Sequence, residues 1–130
     1  AVVVTTPQDI ALIDAKKGLR MFEKVNVPLI GIIENMSVFI CPCCGKVQHI
    51  FGEGGAKRMS ETYGVPLLGE LPLSADIREA ADSGNPTVAA DPESPAAKMY
   101  RSIAMKIAGA VTKLGKDYSA RMPTISVKND

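Results

Sequence analysis

Residues 1–33 read AVVVTTPQDIALIDAKKGLRMFEKVNVPLIGII. Ala1–Val4 is an apolar run rich in β-branched side chains, the composition of a strand buried on both faces. Thr6-Pro7 suits a helix start, with Thr6 as N-cap and Pro7 at the first helical position, where the missing N–H is not needed. Leu12, Ala15, Leu19 and Phe22 then recur on one helical face. Pro28–Ile33 is a second apolar run of strand length, bounded by Pro28 and by Glu34-Asn35. Strand, helix and strand in so short a segment form a βαβ unit, and the crossover rule predicts parallel strands.

Downstream the alternation continues. Gly52-Glu53-Gly54-Gly55 leads into a predicted helix over Ala56–Tyr63, ended by Gly64, where a left-handed residue is cheapest. Val65–Gly69 is a third parallel strand closed by Pro72, and Ala75–Ser83 a short helix before the Gly84-Asn85-Pro86 break. Ser94 is a natural N-cap for a long final helix, with Tyr100, Ile103, Ala104, Ile107, Val111 and Leu114 along one face. Residues 1–114 thus read as one α/β unit with a doubly wound parallel sheet, and residues 115–130, which lose the periodicity, as a loose tail. Three strands are few for such a sheet, and the first has an interior composition. The expectation is the carboxyl half of a larger domain whose other strands lie upstream, with pairing to another chain as the alternative.

Composition narrows the function. With 130 residues and 46% apolar content the chain can bury a core without disulfides. Fifteen basic and 14 acidic side chains nearly cancel, and no basic stripe interleaves with aromatics, so nucleic acid is not an expected partner. No apolar run has the length of a membrane span, which argues against a membrane role. The 3 cysteines, Cys41, Cys43 and Cys44, are odd in number and lie within about four residues of one another, which argues against a disulfide framework and for a reducing cytoplasm.

Those thiols lie in VFICPCCGKVQHIFG, residues 38–52. Val38–Ile40 and Val47–Phe51 flank the Cys-Pro-Cys-Cys-Gly turn, so a hairpin knuckle is predicted over residues 36–52. Cys41 and Cys44 have the C-x-x-C spacing that lets two thiolates converge on one metal while turn N–H groups donate to sulfur. The plainer reading is a set of buried or merely exposed thiols. A zinc ribbon needs a second knuckle, which the chain lacks. A redox pair would open a helix, whereas Val47–Phe51 continues as extended chain. His49 offers a third ligand at C-x-x-C-x4-H, although a lone histidine is more often structural, and a fourth ligand is missing. Two copies of the chain would supply four thiolates, for zinc or for a 4Fe–4S cluster. The glycine run at residues 52–55 lacks phosphate-loop spacing, and no other segment has it.

Taken together, VVVTTPQDIALIDAKKGLRMF, VPLIGIIENMS, CPCCG, IFGEGGAKRM and GVPLLGELPLSADIREAADSGNPTV resemble the carboxyl half of the Mrp/ApbC family, the MinD-like P-loop ATPases that carry iron–sulfur clusters. The resemblance runs from Ala1 to about Ala108. It implies a homodimer that binds ATP and magnesium, holds a labile 4Fe–4S cluster between subunits and passes it to apo iron–sulfur proteins. By that resemblance Cys41 and Cys44 are the cluster ligands, Asn35 reads the adenine edge, and Pro72 and Leu73 cover the base. Cys43 departs from the family pattern. The Walker A loop and acidic switch of the family have no counterpart in these residues, so no catalytic residue is assigned, and hydrolysis of ATP by this chain alone is not expected. A zinc-stapled dimeric binding module without cluster transfer is the alternative.

Overall fold

The computed structural model describes residues 1–115 and orders its elements as β1 (Val2–Thr5), α1 (Asp9–Lys24), β2 (Gly31–Glu34), β3 (Phe39–Ile40), β4 (Val47–Gln48), α2 (Gly55–Tyr63), β5 (Leu67–Glu70), α3 (Ala75–Asp82), α4 (Thr87–Ala90) and α5 (Pro95–Lys113). The main sheet has the order β1-β2-β5, and both pairings are parallel. Strand alternation sends side chains to two cores. Val3 and Ile32 pack with Ala15 and Leu19 of α1 and with Ala56 and Met59 of α2. Ile33 and Leu68 pack on the other face with Leu71 and with Ile103 of α5. Helices therefore cover both faces, as a doubly wound sheet requires.

Two glycines set the closeness of these layers. A Cβ on Gly31 would stand 2.4 Å from Leu68 Cγ and 2.7 Å from the Pro66 carbonyl oxygen, and one on Gly69 would stand 2.6 Å from Ile103 Cγ1. Bare backbone at Gly69 is what lets α5 lie against β5, and Lys106 then donates from α5 to the Leu68 carbonyl at 2.7 Å. Ser94 caps α5 as its sequence predicts, its Oγ accepting the Ala97 N–H at 3.2 Å.

Other boundaries differ from expectation. α1 starts at Asp9, not at Pro7, and Thr6 does not cap it; its hydroxyl donates instead to Gln8 Oε1 at 2.7 Å. Pro7 is buried, with its carbonyl oxygen 2.9 Å from the point a Cβ on Gly55 would occupy. Packing against the glycine loop holds Pro7 out of the helix. β2 begins at Gly31 and runs through Glu34, β5 is displaced toward Glu70, and α4 was not expected. Among the described residues β1 pairs only with β2, and Val4 is 60% exposed. No described helix is long and apolar enough to cross a membrane. The tail expected over residues 115–130 lies outside the described residues from 116 onward.

Candidate metal centre and the loops beside it

The cysteines sit on a hairpin that leaves the carboxyl end of β2 and is fastened at its base. Ser37 N–H donates to the Leu71 carbonyl at 2.9 Å, and Leu73 N–H donates to the Val38 carbonyl at 2.8 Å. Phe39 forms an isolated parallel bridge with Leu73, and Ile40 lies opposite Val47 in the antiparallel pair β3-β4. The turn is closed on one residue. Cys41 N–H donates to the Lys46 carbonyl at 3.0 Å, Gly45 N–H donates to the Cys41 carbonyl at 2.8 Å, and Gly45 takes φ +70°. That φ is the left-handed conformation glycine adopts without a Cβ clash.

All three cysteines are free thiols, Cys41 half-buried and Cys43 and Cys44 exposed. The backbone N–H of Cys43, and next that of Cys44, hold the Cys41 thiol below its ordinary range; the Cys44 and Cys43 side chains add to this against a small opposing effect of burial. Preorganised N–H donors around a sulfur are what a thiolate ligand uses. Among the described residues no group of three or more His, Cys, Asp or Glu side chains is arranged to hold a metal ion. The knuckle thus offers fewer ligands than a closed tetrahedral site takes. His49 turns elsewhere: its Nδ1 is 3.2 Å from the Ser37 carbonyl oxygen, and its Nε2 is 3.9 Å from a Glu53 carboxylate oxygen.

Asn35 follows β2 directly, its N–H donating to the Thr5 carbonyl at 2.7 Å. Its Oδ1 accepts the Met36 N–H at 2.9 Å, and Met36 takes φ +56°. Leu71 N–H donates to the Glu34 carbonyl at 2.8 Å, so the loops carrying Asn35 and Pro72 leave the sheet side by side at the carboxyl ends of parallel strands. Open α/β sheets bind ligands at that edge. Pro72 and Leu73 also line a cleft of about 460 Å³, together with Ile40 and Pro42 of the knuckle, Ile77 of α3 and Met99 of α5. The residues expected to cover a base are therefore beside the knuckle, whereas Asn35 is not part of that cleft.

Sequence reasoning passed over Glu34. Its side chain is fully buried, Oε2 accepts the Ala56 N–H at 2.5 Å, and Oε1 has no partner. The N-cap of α2 is Gly54, which has no side chain to cap with, so the sheet supplies the acceptor its first turn needs. A signal was present: an acid ending the apolar run Gly-Ile-Ile, and a helix beginning in glycines.

Comparison with known proteins agrees with this geometry. A family model described as the NUBPL iron-transfer P-loop NTPase of the ParA group matches residues 1–108. The iron-sulfur cluster carrier protein of Escherichia coli is 58% identical over 108 residues, covering 83% of this chain and 29% of that protein. A nucleotide-binding protein from Archaeoglobus fulgidus, solved in complex with ADP, is similar with a TM-score of 0.56 and 35% identity over 65% of this chain and 35% of that one. The cell division ATPase MinD of Pyrococcus furiosus matches with a TM-score of 0.65 and 28% identity, covering 84% of this chain and 42% of that one. The chain spans 29% to 37% of the length of the curated carriers it matches. With the parallel sheet, its two helical layers and most of its length in register with that family model, the chain belongs to the NUBPL iron-transfer P-loop NTPases.

Proposed function

We propose that this chain is the cluster-bearing part of an iron–sulfur cluster carrier, in which Cys41 and Cys44 from two copies together hold a 4Fe–4S cluster as cargo. The observation that carries the reading is the closed turn at residues 41–46, which presents a C-x-x-C pair whose first thiol is held below its ordinary range, with no group of three or more ligating side chains among the described residues. A pair is half of a four-thiolate site, and a second copy is the simplest source of the other half. The names of the carrier relatives support an iron–sulfur cluster as the cargo.

In the complete domain ATP and magnesium bind at the carboxyl edge of the sheet, with Asn35 reading the adenine edge and Pro72 and Leu73 against the base. The similarity to an ADP-bound protein supports a nucleotide there. Asn35 suits the role because Met36 engages only its carbonyl oxygen, leaving the amide N–H₂ to donate to a ring nitrogen. Leu73 is bonded to the hairpin, so a base resting on it bears on the thiols as well. The chain has no G-x-x-x-x-G-K-S/T run of its own, and hydrolysis is a property of the complete domain. Apo iron–sulfur proteins take the cargo by thiolate exchange in a reducing cytoplasm.

Anaerobic reconstitution with iron and sulfide tests this. The wild-type chain should develop cluster absorbance and dimerise in step with it, while Cys41→Ser should do neither. Cluster uptake by Cys41→Ser equal to that of the wild type would overturn the assignment. Zinc at one ion per two chains, with no iron, would replace it with the zinc-stapled dimer.

A further inference from the structure

The cleft beside the cysteine turn has apolar walls, with Ile40 and Pro42 of the hairpin, Ile77 of α3 and Met99 of α5 among them. Two exposed carboxylates also line it, Asp76 in the first turn of α3 and Asp91 at the end of α4, and no lysine or arginine does. Its volume of about 460 Å³ is that of a binding pocket. A group that suits it brings apolar side chains together with a positive charge. Asn35 is not among its walls, and a neutral adenine held there leaves both acids unmatched.

The cysteine turn itself has the complementary chemistry. Lys46 is exposed within it, and Val47, opposite Ile40 in β3-β4, is 55% exposed. Among the described residues Lys46, Asp76 and Asp91 make no ion pair. Residues directly opposite in an antiparallel pair share a face, so Val47 joins Ile40 in one apolar patch that continues the cleft wall. One surface therefore carries the acids and a pocket, and the turn next to it carries the cation and an apolar side chain.

We propose that the cleft is the seat for the cysteine turn of a second copy, with Val47 of each copy packed between Ile77 and Met99 of the other and Lys46 of each paired with Asp76 and Asp91. This rests on the carrier reading and adds to it the surface by which the two copies meet. Because Pro42 belongs both to the turn and to the cleft wall, a turn seated in the neighbouring copy lies beside that copy's own thiols. The contact is isologous: the same pairings occur twice about a twofold axis, and the assembly closes at two copies.

Sedimentation velocity of the anaerobically reconstituted chain measures the pairing, alongside iron and sulfide content. Lys46→Glu and the double variant Asp76→Lys/Asp91→Lys should each weaken the dimer about tenfold, and the three changes together should bring it back to near the wild-type strength. Met99→Glu, at a cleft position 40% exposed, should weaken it without recovery by the charge swap. If the charge variants pair like the wild type, or if the triple variant does not recover, the seating is wrong while the carrier reading stands on its cluster content. If the variants keep the dimer and only slow delivery of cluster to an apo 4Fe–4S ferredoxin, the cleft belongs to the acceptor and the seating is again wrong. If the wild type pairs through these charges without taking up iron, the seating stands and the carrier reading fails.

Discussion

Glu34 and Ala56 are joined by a 2.5 Å hydrogen bond across 22 residues of sequence, from the end of the central strand to the first turn of α2. The bond satisfies a helix-terminal N–H that no local side chain caps, and it ties the exit of the cysteine hairpin to the sheet. Glu34→Ala should therefore destabilise the chain by about 2–3 kcal/mol, the range for losing a hydrogen bond to a carboxylate and leaving a buried donor unmet. Glu34→Gln keeps an acceptor and should lose about 1 kcal/mol. Urea unfolding followed by circular dichroism measures both, and equal losses would show that an acceptor oxygen kept at this position recovers nothing, against the role given to the hydrogen bond.

Gly69→Ala places a methyl group 2.6 Å from Ile103 Cγ1 and so drives α5 away from β5. A loss of about 1–3 kcal/mol is expected, with partial recovery in Gly69→Ala/Ile103→Ala. Additive losses in the pair would mean that the two residues do not meet.

Cys41 should be alkylated by iodoacetamide at lower pH than an ordinary cysteine. Its thiol is held below the usual range by the Cys43 and Cys44 N–H groups, so the reactive thiolate persists as pH falls toward neutrality. The same sign applies to stability: the folded state favours the thiolate, and this contribution is present above the unfolded-state pKa and fades as pH drops through the lowered one. A Cys41 rate profile, resolved by peptide mass mapping, that titrates in the ordinary range would contradict the N–H arrangement of the turn.

The outer edge of β1 is unpaired among the described residues, and Val4 beside it is exposed. Metal-free, reduced chain should self-associate with rising concentration, and Val4→Lys should suppress this, as a charge does on an open strand. Sedimentation velocity decides. A wild-type monomer at every concentration would mean that the edge is not adhesive.

Much of this architecture was legible in the letters. The β-branched runs gave parallel strands because burial on both faces leaves no polar alternation, and CPCCG between extended segments gave the hairpin because glycine permits its closing conformation. What escaped has tertiary causes. Thr6 looks like a cap until Pro7 is seen packed against Gly55, a contact between segments nearly fifty residues apart. Glu34 reads as a strand boundary because only the fold brings an uncapped helix over it. Thr87–Ala90 is too short for any periodicity to register. In the candidate site, the C-x-x-C pair was readable from spacing. The junction of Leu73 with Val38 and Phe39 was not, since nothing in either segment names the other.

That junction decides how the hairpin can move. A loop joined to the sheet only through its two ends would swing freely, and its thiols would sample many positions. Bonded to residues 71 and 73 at Ser37 and Val38, this hairpin behaves as a lever with its fulcrum on the loop after β5. A small displacement there is converted into tilt at Cys41, with the thiols kept in fixed relation to one another. The geometry of the cysteine turn and the angle at which it faces outward are thus set by separate parts of the chain and can vary independently.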